Sequence, residues 1–449
     1  MASEHPRPQA LAAGYPPDTD ALRPLWFETA PPLAEHESIR QLPPGAPIDA
    51  RADVVVVGAG VTGLSTALHL AERGAQVVVL EREAPGLGTT GRADGQIIAG
   101  LHQEPERLIE AYGPEIGERM IAFSGAAPEL VFALIARHRM DCDAERSGWI
   151  QATRSTRRIA SLERLADSWA RRGAPVRMLD RAETGRLLGT SAYAGGWLDE
   201  RNGTIQPFAY ARAMALAAAR AGAVIHCGVK VERLDQSLVD WSVVTDRGVV
   251  RATTVVLAMN VFTGQLEGVP GGRVGHSYLS AHSVQLATAP LSAAQLERVL
   301  PRRHSCGDTG HLRLRYFRLD REGRFVIGGP GWLTPPRTAG AMSFRILEAS
   351  ARRMFPALGD TPFEHRWTAR DTITPDAVPH LYEPSPGLFA ALGYNGRGLA
   401  IGTALGNVLA RRVLGEPAGA MPFPTTPASS VPLGLRAAAK FYLRLAIGR

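Results

Sequence analysis

The 449-residue sequence predicts an α/β chain with two parts: a discontinuous Rossmann-like domain, and a second domain on a mixed or antiparallel sheet. Three observations predict it. The β-branched run Asp53–Val57 leads into a glycine-rich turn and then a helix-patterned stretch, the order of a βαβ unit. Residues 275–332 switch to period-two alternation, the mark of an antiparallel sheet with one wet face. Near the C-terminus Leu388–Leu392, a glycine loop at 393–398 and the helical stretch Leu399–Leu414 repeat the strand, loop, helix order.

The elements follow in turn. The first 50 residues are rich in proline and turn-forming acids and lack periodicity, so an irregular surface arm is expected. Val61–Arg73 reads as a helix closed by Gly74, and Gln76–Leu80 as the second parallel strand. From Glu104 to Gly185 the pattern is mostly helical, with apolar residues at threes and fours through Met120–Ile135 and Ile159–Trp169. A helix over Pro207–Gly222 precedes strands at Val224–Cys227, Val229–Leu234, Trp241–Thr245 and Val249–Ala252, and Arg251–Asn260 suits a strand returning to the first sheet. The resulting map puts an arm at 1–50, the Rossmann-like domain at 51–105, 185–272 and 360–416, and the substrate domain at 106–184 and 273–359. A basic tail helix takes 417–449.

Composition narrows the class. At 45% hydrophobic and 21% charged residues, disorder and fibrous repeats are excluded, and no uninterrupted apolar run reaches the roughly 18 residues a spanning helix needs. The N-terminus lacks a secretory pattern, so a cytoplasmic location is expected. Cys142, Cys227 and Cys306 are far apart and odd in number, which suggests free thiols and neither disulfides nor a metal site. The formal charge of +7 does not point to nucleic acid, because Lys230 and Lys440 are the only lysines and the arginines are interspersed with acids. The tail is different: Arg436, Lys440, Arg444 and Arg449 alternate with Leu435, Phe441, Leu443, Leu445 and Ile447 and no acid. It is a candidate for peripheral contact with an anionic membrane.

Gly58, Gly60 and Gly63 form GxGxxG between strand and helix, where glycines permit a tight turn, close approach of backbone to a pyrophosphate and close helix packing. The helix dipole and its free amides favour the diphosphate. Val61 and Thr62 lie in that first turn, and Glu81, at the end of the second strand, suits a ribose 2′-hydroxyl and repels a 2′-phosphate. The loop Gly86–Gln96, with its glycines, hydroxyls and single arginine, suits wrapping a dinucleotide and separates FAD from NAD.

With that loop the chain resembles the D-amino-acid oxidase superfamily of FAD enzymes, and within it the gamma-glutamylputrescine oxidase type. The resemblance also rests on the stretches at 195–200, 316–329, 374–380 and 393–398, and covers roughly nine tenths of the chain. It departs from the usual pattern at Thr89, Thr90, Ala93 and Asp94 in the flavin loop, at Thr368 after Trp367, and at Gly310 after Thr309. The resemblance implies FAD held by Gly58, Gly60, Val61, Thr62, Gly63, Glu81, Arg82, Gly88, Thr89, Thr90, Gly91, Arg92 and Gln96, and noncovalent attachment is expected because Cys306 lies away from the place of an attachment cysteine. Val231, Ala258, Gly396, Arg397, Gly398 and Leu399 complete the set.

The implied reaction is oxidation of the C–N bond of a small amine or amino acid to an imine, with electrons passing to O2 or a carrier. A helix starting near Gly398 would aim positive charge at the flavin. No acid, base or nucleophile is obligatory, so orientation and electrostatics carry the rate. The pocket candidates are Tyr316, Arg318 and His282 from the antiparallel sheet, with Tyr394 and Asn395 from the flavin side. Tyr316 and Arg318 share a strand face, and Arg318 suits a substrate carboxylate. Sarcosine, glycine, pipecolate and D-amino acids remain open as substrates, as does a flavin-binding subunit without turnover of its own.

Overall fold

The computed structural model describes Leu22 and residues 24–43, 45–270, 274–309, 314–331 and 339–427. In its first half the elements are α1 (Leu25–Thr29), β1 (Ile39–Gln41), β2 (Ile48–Val57), α2 (Val61–Ala71), β3 (Val77–Glu81), β4 (Gln96–Ile97), α3 (Pro105–His138), β5 (Trp149–Thr153), α4 (Ile159–Arg171), β6 (Val176–Leu179), α5 (Arg181–Leu188), β7 (Gly195–Asp199), β8 (Gly203–Thr204) and α6 (Pro207–Arg220). Then come β9 (Val224–Cys227), β10 (Val231–Gln236), β11 (Trp241–Thr245), β12 (Gly248–Leu257), β13 (Leu279–Pro290), α7 (Ala293–Leu296), β14 (Ser305–Asp308), β15 (Tyr316–Leu319), β16 (Arg324–Pro330), α8 (Ala339–Met354), β17 (Phe363–Ile373), β18 (His380–Ser385), β19 (Leu388–Leu392) and α9 (Gly398–Val413).

Among the described residues the first sheet has nine strands, with β1, β9, β3, β2 and β12 parallel in that order. Val54–Val57 are buried on both faces because β2 sits mid-sheet with apolar side chains packed on either side. The sheet forks at β12. Its first half pairs antiparallel with β11, while Val255–Leu257 pair parallel with β19. That fork brings α9 alongside α2, so the N-termini of both helices open on the same space. The second sheet runs β17, β13, β16, β15, β14, β5, β7, β6, antiparallel except where β14 meets β5. One face is sealed by α5 and α8 around Phe317, Phe325 and Phe355, and the other turns towards the first sheet.

Several expectations need correction. The stretch from Glu104 to Gly185 is mostly helical, as expected, through α3, α4 and the start of α5, but it also holds two unexpected strands of the second sheet, Trp149–Thr153 and Val176–Leu179. Each is only a few residues long, too short for period-two alternation to stand out against flanking helices. Gly195–Asp199 and Phe363–Ile373, expected with the nucleotide half, also run in the second sheet. The arm is not irregular throughout. Leu25 and Trp26 of α1 are fully buried, Trp26 Nε1 donates to Ala93 O at 2.7 Å, and β1 extends the first sheet along β9. A single buried tryptophan anchors a segment whose local pattern carries no signal.

Helix α3 kinks at Gly113, whose φ of 78° interrupts it, and Pro114 restarts it. It is the one described helix long and apolar enough to cross a membrane, yet Met120, Ile121, Val131 and Leu134 are buried in the core. Past Pro417 the chain packs back on the body, with Met421 and Phe423 buried and Phe423 edge-on to Phe123. The amphipathic stretch from Leu435 lies outside the described residues, as does Gly310.

Candidate active site

Between the sheets lies a cavity of about 800 Å³. Its first end is made largely of backbone. Gly58 takes φ of +103°, a conformation that strains any residue with a side chain, and a Cβ on Gly63 would stand 2.0 Å from Gly58 O. The turn therefore closes only with glycine at these positions. Gly60 precedes α2 and supplies no cap, and Val61 N–H is met by Thr90 Oγ1 at 3.1 Å. Glu81 braces the turn by accepting from Ala59 N at 2.7 Å and Glu83 N at 3.0 Å, while burial raises its carboxyl above the usual range.

Of the residues expected to hold the cofactor, Gly58, Gly60, Val61, Thr62, Glu81, Arg82, Gly88, Thr89, Thr90, Gln96, Val231, Ala258, Gly396, Arg397, Gly398 and Leu399 line this cavity. Gly63, Gly91 and Arg92 do not. The two glycines sit behind the turns, and the Arg92 guanidinium lies 5.3 Å over the Phe27 ring. Arg92 contributes through its carbonyl, which accepts from Gln285 Nε2 and Trp367 Nε1 and so ties the loop to the second sheet.

The other end is made of side chains. Tyr316 and His282 face the cavity, as do Gln96, Trp149, Gln285, Arg370 and Asp371. The Tyr316 ring lies flat across β16, where a Cβ on Gly328 would be 2.0 Å from it; burial, then Asp94, raises its phenol pKa. Arg318 corrects the expectation of a carboxylate-binding arginine. It does share the strand face of Tyr316, but one step further along it is roofed by the flavin loop. Nε donates to Asp94 O at 2.8 Å, Nη2 to Ile205 O at 2.9 Å, and the guanidinium stacks 4.6 Å over Trp26. Burial pushes its pKa down to about 10, and it lies outside the cavity lining.

Tyr394 and Asn395 line the cavity, but their polar groups serve the loop before α9. The Tyr394 and Thr62 hydroxyls are 2.8 Å apart, joining this loop to α2. Asn395, at φ of 54°, accepts from Thr374 N at 2.9 Å and donates to Gly393 O. The N-terminus of α9 has no side-chain cap and faces the cavity, so its partial positive charge is directed there. His102 and Arg397 stand beside it. The imidazole is exposed to the cavity, its Nε2 close to Gly396.

Sequence reasoning missed His102, Trp149, Arg370 and Asp371. Trp149 sits on the overlooked strand β5, and Asp371 closes β17, so only pairing across the second sheet brings them to the cavity. The lining also holds unmet polar atoms: Thr89 Oγ1, Gln96 Oε1, Trp149 Nε1 and Gln285 Oε1 are buried and lack hydrogen-bond partners among the described residues. Such atoms call for a polar ligand. A glycine turn at a helix start, an acid after the second strand and a long cavity fit FAD.

Comparison with known proteins decides the family. Residues 53–412 match the family described as DAO, FAD dependent oxidoreductase. The chain belongs to the DAO family of FAD-dependent oxidoreductases. It is 28% identical over 370 residues to gamma-glutamylputrescine oxidoreductase of Escherichia coli, covering 81% of this chain and 84% of that protein. It is likewise 28% identical over 378 residues to the probable oxidoreductase OrdL of Haemophilus influenzae, covering 84% and 86%. Among solved structures, glycine oxidase from Geobacillus kaustophilus superposes with a TM-score of 0.70 over 85% of this chain and all of that one, at 22% identity. This DAO-family chain is thus an FAD-dependent oxidoreductase that acts on amines or amino acids, and its two-sheet α/β fold is that of its relatives.

Proposed function

We propose that this oxidoreductase oxidises a small amine whose reacting nitrogen is remote from any carboxylate, gamma-glutamylputrescine or a compound like it, to an imine. The observation that carries this reading is the withdrawal of Arg318: β15 presents the Tyr316 phenol to the cavity and commits its arginine to backbone carbonyls. The likeness to the gamma-glutamylputrescine enzyme supports it. Arg370 keeps its guanidinium 5.4 Å over Phe262 and beside Ser280 Oγ.

FAD supplies the hydride acceptor when bound. The chain's residues would hold the diphosphate at the Gly58–Gly63 turn, bind the ribose at Glu81 and direct the α9 N-terminus at the isoalloxazine. Tyr316, Gln96 and Trp149 then orient the substrate and exclude water from it. Noncovalent attachment is part of the reading: Cys142, Cys227 and Cys306 are buried outside the cavity lining, and His102 and His282 are the described lining residues whose linkage to flavin acid precipitation would reveal. Acid precipitation should leave the yellow colour in the supernatant.

The deciding experiment is anaerobic bleaching of the visible flavin band with gamma-glutamylputrescine, putrescine, sarcosine, glycine, pipecolate and D-amino acids. Fastest bleaching by an amine without an adjacent carboxylate is expected, and fastest bleaching by an α-amino acid would overturn the reading. The rate of recovery on readmitting air then tells O2 from a separate carrier as the electron acceptor.

A further inference from the structure

Four of the carboxylates that line the cavity differ in what surrounds them. Glu81 accepts two backbone amides at the nucleotide end. Asp308 is paired with Arg154 at 3.1 Å. Asp94 accepts from Gln96 N at 3.2 Å and lies in the field of the Arg318 guanidinium. Asp371 is the exception: its donors are neutral, as those of Glu81 are, but Glu81 lies in the field of Arg82 and Asp371 has no such cation beside it. Thr372 N donates to Oδ1 at 2.7 Å, Gly396 N donates to Oδ2, and the Asn260 side chain adds a third hydrogen bond. Among the described residues no basic side chain stands within ion-pair distance of it.

These donors come from β17, the loop before α9 and the segment after β12, so the carboxylate is fixed by three separate parts of the chain. The fixing extends further: Thr372 Oγ1 donates to Asn260 Oδ1 at 2.8 Å and accepts from Gly393 N at 3.0 Å. Two oxygens offer about four acceptor sites, so capacity remains on the side open to the cavity. An oriented carboxylate without a counter-ion is costly inside a protein unless a ligand supplies the positive charge. Burial accordingly pushes the Asp371 carboxyl up to about 6.

We propose that Asp371 is the specificity residue that receives the ammonium group of a cationic amine substrate, on the side of the cavity between Tyr316 and the loop before α9. The proposal rests on the reading above that the substrate is an amine without an adjacent carboxylate. It assigns the recognition of charge to β17 rather than to the arginine of β15. No bond is made or broken in this step.

The test uses the FAD-loaded protein and a pair of non-reacting probes of one shape and opposite charge, tert-butylammonium and pivalate. Neither has a hydrogen on the carbon attached to its charged group, so binding is read without turnover by calorimetry or by perturbation of the flavin spectrum. The wild-type chain is expected to bind tert-butylammonium more tightly than pivalate. Asp371→Asn, which keeps the acceptor for Gly396 N, should weaken tert-butylammonium about 10- to 100-fold, as loss of a charge-assisted contact implies. Its affinity for pivalate should be equal or greater, and Asp371→Glu should retain the preference for the cation.

Tighter binding of pivalate by the wild-type chain, or unchanged tert-butylammonium affinity in a flavin-loaded Asp371→Asn, would overturn the proposal; the first needs no variant to fold. An amine that bleaches the flavin with the same KM in wild type and Asp371→Asn would also overturn it while leaving the amine-oxidation reading intact. Asp371-dependent binding of tert-butylammonium in a protein that no amine bleaches would support the cation site and sink that reading.

Discussion

The two ends of the cavity are built by opposite means. At the nucleotide end a few consecutive residues, Gly58–Gly63 with Thr90 and Glu81, shape the site through backbone turns, and side chains mostly brace that backbone. At the other end Gln96, Trp149, Tyr316 and Asp371 come from strands far apart in the chain: β13, β15, β16 and β17 pair to bring Tyr316 and Asp371 together, β14 joins β15 to β5 and Trp149, and Gln96 Nε2 reaches Cys306 O of β14. A cofactor shared by many reactions can be held by backbone geometry, whereas discrimination among substrates needs side chains that can be exchanged without disturbing it.

Substitutions can break or sharpen this contrast. The largest effect is expected at the nucleotide end: Gly63→Val forces a Cβ to within 2.0 Å of Gly58 O, opening the turn. The protein should purify without flavin or not fold at all, checked by the ratio of visible to ultraviolet absorbance. Next is Arg318→Met, which strips the donors from Asp94 O and Ile205 O and leaves the buried Asp94 without its compensating cation. A loss of about 2–4 kcal/mol in unfolding free energy is expected. In whatever protein retains flavin, the KM for the best amine should stay within a few-fold. A selective rise in KM with stability unchanged would return Arg318 to the substrate.

The smallest effect has the opposite sign. Because the folded-state pKa of Asp371 is about 6, above the ordinary carboxylate value of 3.8, its ionisation destabilises the fold above pH 6, and that cost disappears as the pH falls below about 4. Asp371→Asn removes that cost but turns its NH2 towards one of the two backbone donors, so its stability relative to wild type should rise by up to about 3 kcal/mol between pH 4 and pH 8 in the absence of substrate. Thermal melts across this range check it. A difference between the two that stays constant from pH 4 to pH 8 would mean that the carboxylate is already compensated. A gain in stability combined with lost affinity for amines would mark a residue kept for binding at a cost to the fold.

How much was legible follows the same division. The strand Asp53–Val57, the turn after it and the loop before α9 stand out because a βαβ unit uses consecutive residues with a fixed pattern of glycines and β-branched side chains. Trp26, placed in an arm with no periodicity, is legible only as part of the packing against Trp367 and Arg318. Trp149 went unread because its strand is five residues long between helices. Arg318 was read on the correct face, but which part of a face is covered depends on another segment, here the loop at Asp94.

The sequence by itself determined the α/β class, the glycine turn and the acid at the end of β3, since each depends on interactions within a few tens of residues. Only the tertiary structure decided which side chains reach the far end of the cavity. The fork at β12 carries α9 to the side of α2, and the second sheet draws in strands from 149 to 373. Local periodicity states that a face is polar. Whether that face is roofed, paired or left open to the cavity is set by the segment that packs against it, and that segment lies elsewhere in the chain.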